Sequence, residues 1–204
     1  MMGAHSIRGR ANKLKREDLM SLEEYDQARP EFRQKVMAHK KNRLVRLNEN
    51  AALYFEDQLT MQYQVQEMLR IEKIFDAQGI QEELDTYNPL IPDGSNWKVT
   101  FMLEYPDVEE RKKMLARLTG IEDKVWVRVD DLEKIYPIAN EDLERTTEEK
   151  TSSVHFMRFE LTDEMIVAAK QGASVSMGID HDEFTVEVSP VAVETAASLV
   201  NDLR

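Results

Sequence analysis

The sequence predicts an α+β fold, with a helical N-terminal part packed on a mostly antiparallel sheet with flanking helices. Apolar residues recur at helical spacing through the first half of the chain and alternate at period two through much of the second. Two of the alternating segments meet through the short polar tip His181-Asp182, a connection that only antiparallel neighbours allow. Strands and helices interspersed in this way suit an antiparallel sheet covered by helices.

Met1 to Lys13 is basic and rich in small residues, with no apolar stretch of the kind a signal peptide carries. Residues 1–14 therefore read as a flexible N-terminal extension, and 15–204 as a single α+β domain. Its helical part spans about 15–87 and its sheet-containing part about 88–204. Glu17 to Gln27 places Leu19, Leu22 and Tyr25 on one side of a short helix. Pro30 suits the first turn of a second helix, which Phe32, Val36 and Met37 carry to about Lys41. Leu44 to Phe55 reads either as a hairpin around Asn48-Glu49-Asn50 or as the lead-in to the next helix. Asp57 to Ala77 is the longest helical pattern, with Gly79 as its left-handed stop.

Beyond Gly79 the period changes. Trp97, Val99, Phe101, Leu103 and Tyr105 alternate with polar residues as a half-buried strand does. Asp107 and Glu110 resemble a capping box opening a helix to Leu118. Val125, Val127 and Val129 form another strand, and a charged connector, Glu141 to Lys150, leads to a strand from Val154 to Leu161. Thr162 caps a helix that stops at Gly172. A hairpin follows, with Val175, Met177 and Ile179 on one arm and Phe184, Val186 and Val188 on the other. Ser189-Pro190 then opens a final helix.

Composition narrows the chemistry by exclusion. The 204 residues contain no cysteine, which removes disulfides, thiolate zinc sites, cysteine-ligated iron–sulfur clusters and cysteine nucleophiles. No HExxH, no glycine-rich phosphate cradle and no G-x-S-x-G elbow can be written. No apolar run approaches the roughly 18 residues of a membrane helix, so membrane insertion is not expected. Charge is uneven: residues 1–48 carry 12 basic against 6 acidic side chains, the remainder 15 against 33. The net charge of −12 disfavours nucleic acid, and the basic run His39 to Arg43 reads as a solvated face.

One position is anomalous. On a helix from Asp57, the residues Met61, Val65, Met68, Leu69 and Phe75 share a sector, and Glu72 falls near its middle. A carboxylate inside an apolar stripe must be paired or take a proton. Two readings stand. Glu72 with His39 and His155 would form a site for iron or zinc. Alternatively Glu72 pairs with Arg70, Arg33 or Arg158, and the two histidines are satisfied within a core. His181 in Asp180-His181-Asp182-Glu183 reads as a solvated hairpin tip.

Several strings are distinctive together: Met37-Ala38-His39-Lys40-Lys41-Asn42-Arg43, Phe55-Glu56-Asp57 through Gln66 to Glu72, Asn88 to Asn96, Tyr105 to Arg111, and Glu149 to Phe156. Over about Lys15 to Arg204 the chain resembles the uncharacterised bacterial domain-of-unknown-function family 3501. The resemblance implies a cytoplasmic, non-catalytic accessory to a redox or oxidative-stress module, with rubrerythrin-like di-iron and iron–sulfur proteins as partners. The Glu/His site would instead make it a metal-dependent enzyme or metal-binding protein.

Overall fold

The structure, a computed structural model, describes residues 13–204. It is α+β, as the sequence predicts, and the chain divides into two compact units: a helical one from residues up to 41 together with 56–94, and a sheet-containing one from 42–55 together with 95–204. The expected extension lies outside the described residues as far as position 12. Lys13 and Leu14 belong to the helical unit. Leu14 is buried, and the Asn88 side chain binds both its N–H (2.7 Å) and its carbonyl (2.9 Å).

In the helical unit a short 3-10 turn, Arg16–Asp18, precedes α1 (Leu22–Lys41). One helix, not two, runs through Pro30. The ring removes the bond to the carbonyl of Asp26, but both residues face water, so solvent replaces what proline cannot donate. Helix α2 (Gln58–Glu72) starts at Asp57, whose carboxylate accepts the N–H of Thr60 at 2.9 Å. It ends before the expected Ala77, because Lys73 turns left-handed at φ 55° and Asp76 caps a new helix, α3 (Ala77–Tyr87). Gly79 gives its N–H to Asp76 in the first turn of α3, so it starts a helix where the sequence predicts a stop. Met61, Val65 and Leu69 of α2 close a core with Leu14, Leu84 and Ile91.

The sheet unit has two sheets. The first runs β1 (Leu44–Arg46), β2 (Ala51–Glu56), β3 (Asn96–Leu103), β6 (Val154–Glu160), β5 (Ile138–Ala139) in spatial order. The second runs β4 (Val125–Val129), β7 (Val175–His181), β8 (Phe184–Val188). Of the two readings of Leu44 to Phe55, the hairpin is present, with Val45 opposite Leu53. Helices α4 (Val108–Arg117), α5 (Asp163–Lys170) and α6 (Val193–Val200) complete the unit, the last starting beyond Pro190. Gly120 and Gly172 take left-handed φ values of 81° and 90°. Gly178 stands opposite Trp126 in the β4–β7 register, and a Cβ there would meet the indole and the carbonyl of Val186. The missing side chain is what lets the ring lie on the strand.

One apolar core serves both sheets, from Val45 and Phe55 through Trp97, Phe101 and Phe159 to Leu199 and Leu203. A buried ion pair closes it. Arg43, 2% exposed, reaches the Phe55 carbonyl (2.9 Å), Ser198 and the Asp202 carboxylate (2.6 Å). The Trp97 indole N–H donates to the Leu199 carbonyl at 3.0 Å. Removing one partner of a buried pair strands the other. Asp202→Ala should therefore cost roughly 3 kcal/mol or more in urea unfolding. Glu183→Ala, which breaks the exposed pair with Arg117, should cost under about 1 kcal/mol. Equal losses would show that Asp202 is not a structural anchor.

Candidate functional site

The histidine with the richest surroundings is His155, fully buried on β6 opposite Phe101, whose ring stacks on the imidazole at 6.1 Å. Its Nε2 lies 3.0 Å from the Ser152 carbonyl, which can only accept, so Nε2 carries the proton. Nδ1 is then free to accept from the Asn140 amide at 3.1 Å. Asn140 follows β5 in a left-handed conformation at φ 54°, which asparagine tolerates better than most residues. Nε2 is also 2.9 Å from the Thr151 hydroxyl, and that hydroxyl donates onward to Glu122 Oε2 at 3.2 Å. The Thr146 hydroxyl donates to Glu122 Oε1. Burial pushes the His155 imidazole below its ordinary 6.5, against the pull of the Glu122 carboxylate, and the ring is neutral at pH 7.

Hydroxyl, imidazole and carboxylate are thus together, but in an order unlike that of nucleophilic catalysis. There the imidazole stands between the other two and takes the hydroxyl proton. Here Thr151 stands between His155 and Glu122, which are 3.9 Å apart, and its hydroxyl is sealed at 2% exposure. What the cluster holds is the charged connector. Thr146 and Thr151 bracket its far end, and the Thr151 N–H donates to Leu115 O at 2.9 Å. On the outer side Arg158 grips Glu141 with two bonds of 2.9 and 3.0 Å, while Arg145 grips Asp142 and lies 4.7 Å over the Phe156 ring. A stretch without regular structure, Glu141 to Lys150, is pinned from both sides.

The other candidate residues lie in the helical unit. His39, in the last turn of α1, has its Nε2 2.5 Å from Asp57 Oδ2, so it ties the end of α1 to the cap of α2. Glu72 is exposed at the last position of α2. Its expected place within an apolar stripe is corrected by the early end of the helix: Phe75, the stripe's last member, lies past α2 and is 77% exposed, so that end faces water. Glu72 adds its field to the burial that raises the Glu83 carboxyl. Among the described residues, no group of three or more histidine, aspartate and glutamate side chains is arranged to hold a metal ion. Of the three residues read as an iron or zinc site, Glu72 and His39 belong to the helical unit and His155 to the sheet-containing one.

The half-buried, paired charge on α2 is instead Glu67. Arg29 approaches its carboxylate at 2.7 and 3.0 Å, and the fully buried Tyr25 donates its hydroxyl at 2.7 Å. The Arg29 guanidinium holds the Glu67 carboxyl down at about 2. Of the three sequence candidates for pairing with Glu72, Arg70 meets Glu67, and Arg158 meets Glu141 and Glu160. A helical wheel puts Glu67 on a free side, but α2 packs against both α1 and α3, and α1 offers it tyrosine and arginine. Glu122, Thr146, Thr151 and Asn140 have no sequence signal, since nothing in Ile121-Glu122-Asp123-Lys124 tells the buried acid from its neighbour.

Because burial depresses the His155 imidazole, the unfolded chain binds more protons than the folded one as pH falls below 6.5. That share of stability is complete above 6.5 and declines below it. Urea unfolding from pH 8 to 5 should show this decline in the natural protein and a shallower one in His155→Gln. Parallel pH profiles would mean that the ring does not titrate differently on folding.

No curated protein sequence matches this chain. A crystal structure of a novel protein of unknown function from Burkholderia pseudomallei K96243 is 50% identical, with a TM-score of 0.89 over 94% of this chain and all of that one. Residues 13–203 match the model of a family described as protein of unknown function, DUF3501. With nearly the whole described chain inside that match, the protein belongs to the DUF3501 family.

Proposed function

We propose that this protein is a non-catalytic accessory of a redox or oxidative-stress module, working in the cytoplasm by binding other proteins. The observation that carries the reading is the exposed apolar end of the helical unit, where Ile71 and Phe75 stand 61% and 77% in solvent. Large apolar side chains exposed to water raise the free energy of the isolated protein and lower it on association. The histidines support the same reading by what they are used for: His155 fastens a connector and His39 closes a helix cap. The family resemblance supplies the partner class, rubrerythrin-like di-iron proteins and iron–sulfur redox proteins.

The test is a calorimetric titration of the purified protein against one purified partner of each kind, oxidised and reduced. Saturable binding at a Kd of about 10 µM or tighter is expected with at least one of them. No binding to either partner in either oxidation state would overturn the redox assignment.

A further inference from the structure

We infer that the trough on the helical unit from Phe75 past Leu19 and Met20 to Glu31 docks a short helical segment of a partner protein, one presenting an apolar anchor flanked by lysine or arginine. The inference rests on the accessory reading above and names what the partner must present.

Two hollows join to make the trough. One, about 350 Å³, has an apolar floor of Leu19, Leu22, Leu69, Ile74, Phe75 and Ile80. The other is shallower, and Glu17, Asp18, Glu24 and Glu31 line it. Leu19, Met20 and Glu24 belong to both. The first hollow is large enough for one or two bulky apolar side chains, and the acids lie where flanking cations would fall. Local cations offset them only in part: Lys15 meets Glu17 at 3.6 Å, and Arg16 lines the first hollow, while Asp18, Glu24 and Glu31 keep their charge at the second. The Ser21 N–H holds the Glu24 carboxyl below its ordinary value, so the charge is present at neutral pH.

The trough is also preformed. Leu19 and Met20 lie on irregular backbone, held by side-chain amides in place of a strand ladder. The fully buried Gln66 accepts the Met20 N–H at 2.7 Å and donates to the Met20 carbonyl at 3.3 Å. Gln62 donates to the Asp18 carbonyl at 2.8 Å. Apolar receptors fixed before binding spare the ordering cost that weakens association. A peptide that adds a strand would need a sheet edge, and among the described residues no strand lines the trough. A helix seated by side chains is the mode that suits an apolar hollow flanked by acids.

The probe is a fluorescein-labelled synthetic helix of about 18 residues, leucine on one face and lysine on the other, with a glutamate-for-lysine version as control. Saturable one-to-one binding of the lysine peptide alone is expected, read by anisotropy. Phe75→Asp, and separately Glu24→Lys with Glu31→Lys, should each weaken it about tenfold or more. Glu109→Lys with Glu164→Lys, equal in charge change but on the other unit, should change it less than about threefold. Circular dichroism confirms that each variant is folded. Equal weakening by the two double variants would reduce the binding to long-range attraction and overturn the site, as would failure to saturate. Binding that tightens about tenfold after deletion of residues 1–12 would overturn it by assigning the trough to the chain's own N-terminus. A redox partner held equally well by Phe75→Asp would remove the trough and leave the accessory reading standing. Peptide binding without any redox partner would do the reverse.

Discussion

A guanidinium at 2% exposure has lost its water and must find acceptors within the protein, and the arrangement that satisfies Arg43 joins parts of the chain far apart in sequence. Arg43 enters just ahead of β1, takes a place beside the Phe55 carbonyl at the end of β2, and meets Ser198 and Asp202 near the C-terminal end of the chain. The hairpin and the C-terminal helix are thereby held to one another through an interaction with strict geometry. Apolar packing around Leu199 and Leu203 supplies area but little direction, whereas a buried charge accepts few alternatives. The hairpin, inserted between two helical stretches, joins strands that begin only at Asn96 because β2 lies beside β3, and the Arg43 pair holds it to the C-terminal helix as well.

The same device recurs at smaller scale wherever the backbone is irregular. Asn88 holds Leu14, Gln66 holds Met20, and the Glu122–Thr151–His155 chain holds the connector ahead of β6. Each replaces ladder hydrogen bonds that the local backbone cannot make, since a buried N–H or carbonyl left alone would cost more than the side chain loses by being ordered. This places polar residues inside without giving them a solvent-facing task. Titratable groups in a core therefore say little about chemistry until their partners are known, and His155 is the instance here.

Regular structure is legible in the sequence because its signals are local. Thr162, Asp107 and Asp57 cap helices where a short oxygen-bearing side chain precedes an apolar run, and the alternation of Trp97 to Leu103 is a property of one strand. What is not legible depends on competition between neighbours. Gly79 looks like a stop because the pattern before it is long, but Asp76 three residues upstream caps a new helix and claims its N–H. Pro30 looks like a start, yet the exposure of Asp26 and Pro30 to solvent makes a proline inside the helix tolerable. Glu72 and Glu67 exchange roles because a wheel for one helix does not know that two others flank it, or that Tyr25 and Arg29 are what α1 brings.

Charge shows the limit of summing along a chain. Residues 1–48 are basic in total, which argues for an acidic partner if the sum is taken at face value. The fold sorts those charges. Four of the six acids in that stretch, Glu17, Asp18, Glu24 and Glu31, line one trough, and two of its cations, Arg29 and Arg43, are spent on Glu67 and Asp202. A field at a surface a few ångströms away follows the nearest unpaired groups, since salt screens the rest beyond about 10 Å. The stretch of chain that counts as positive thus presents a negative face beside the exposed Phe75, and a partner approaching that face meets acids around an apolar floor.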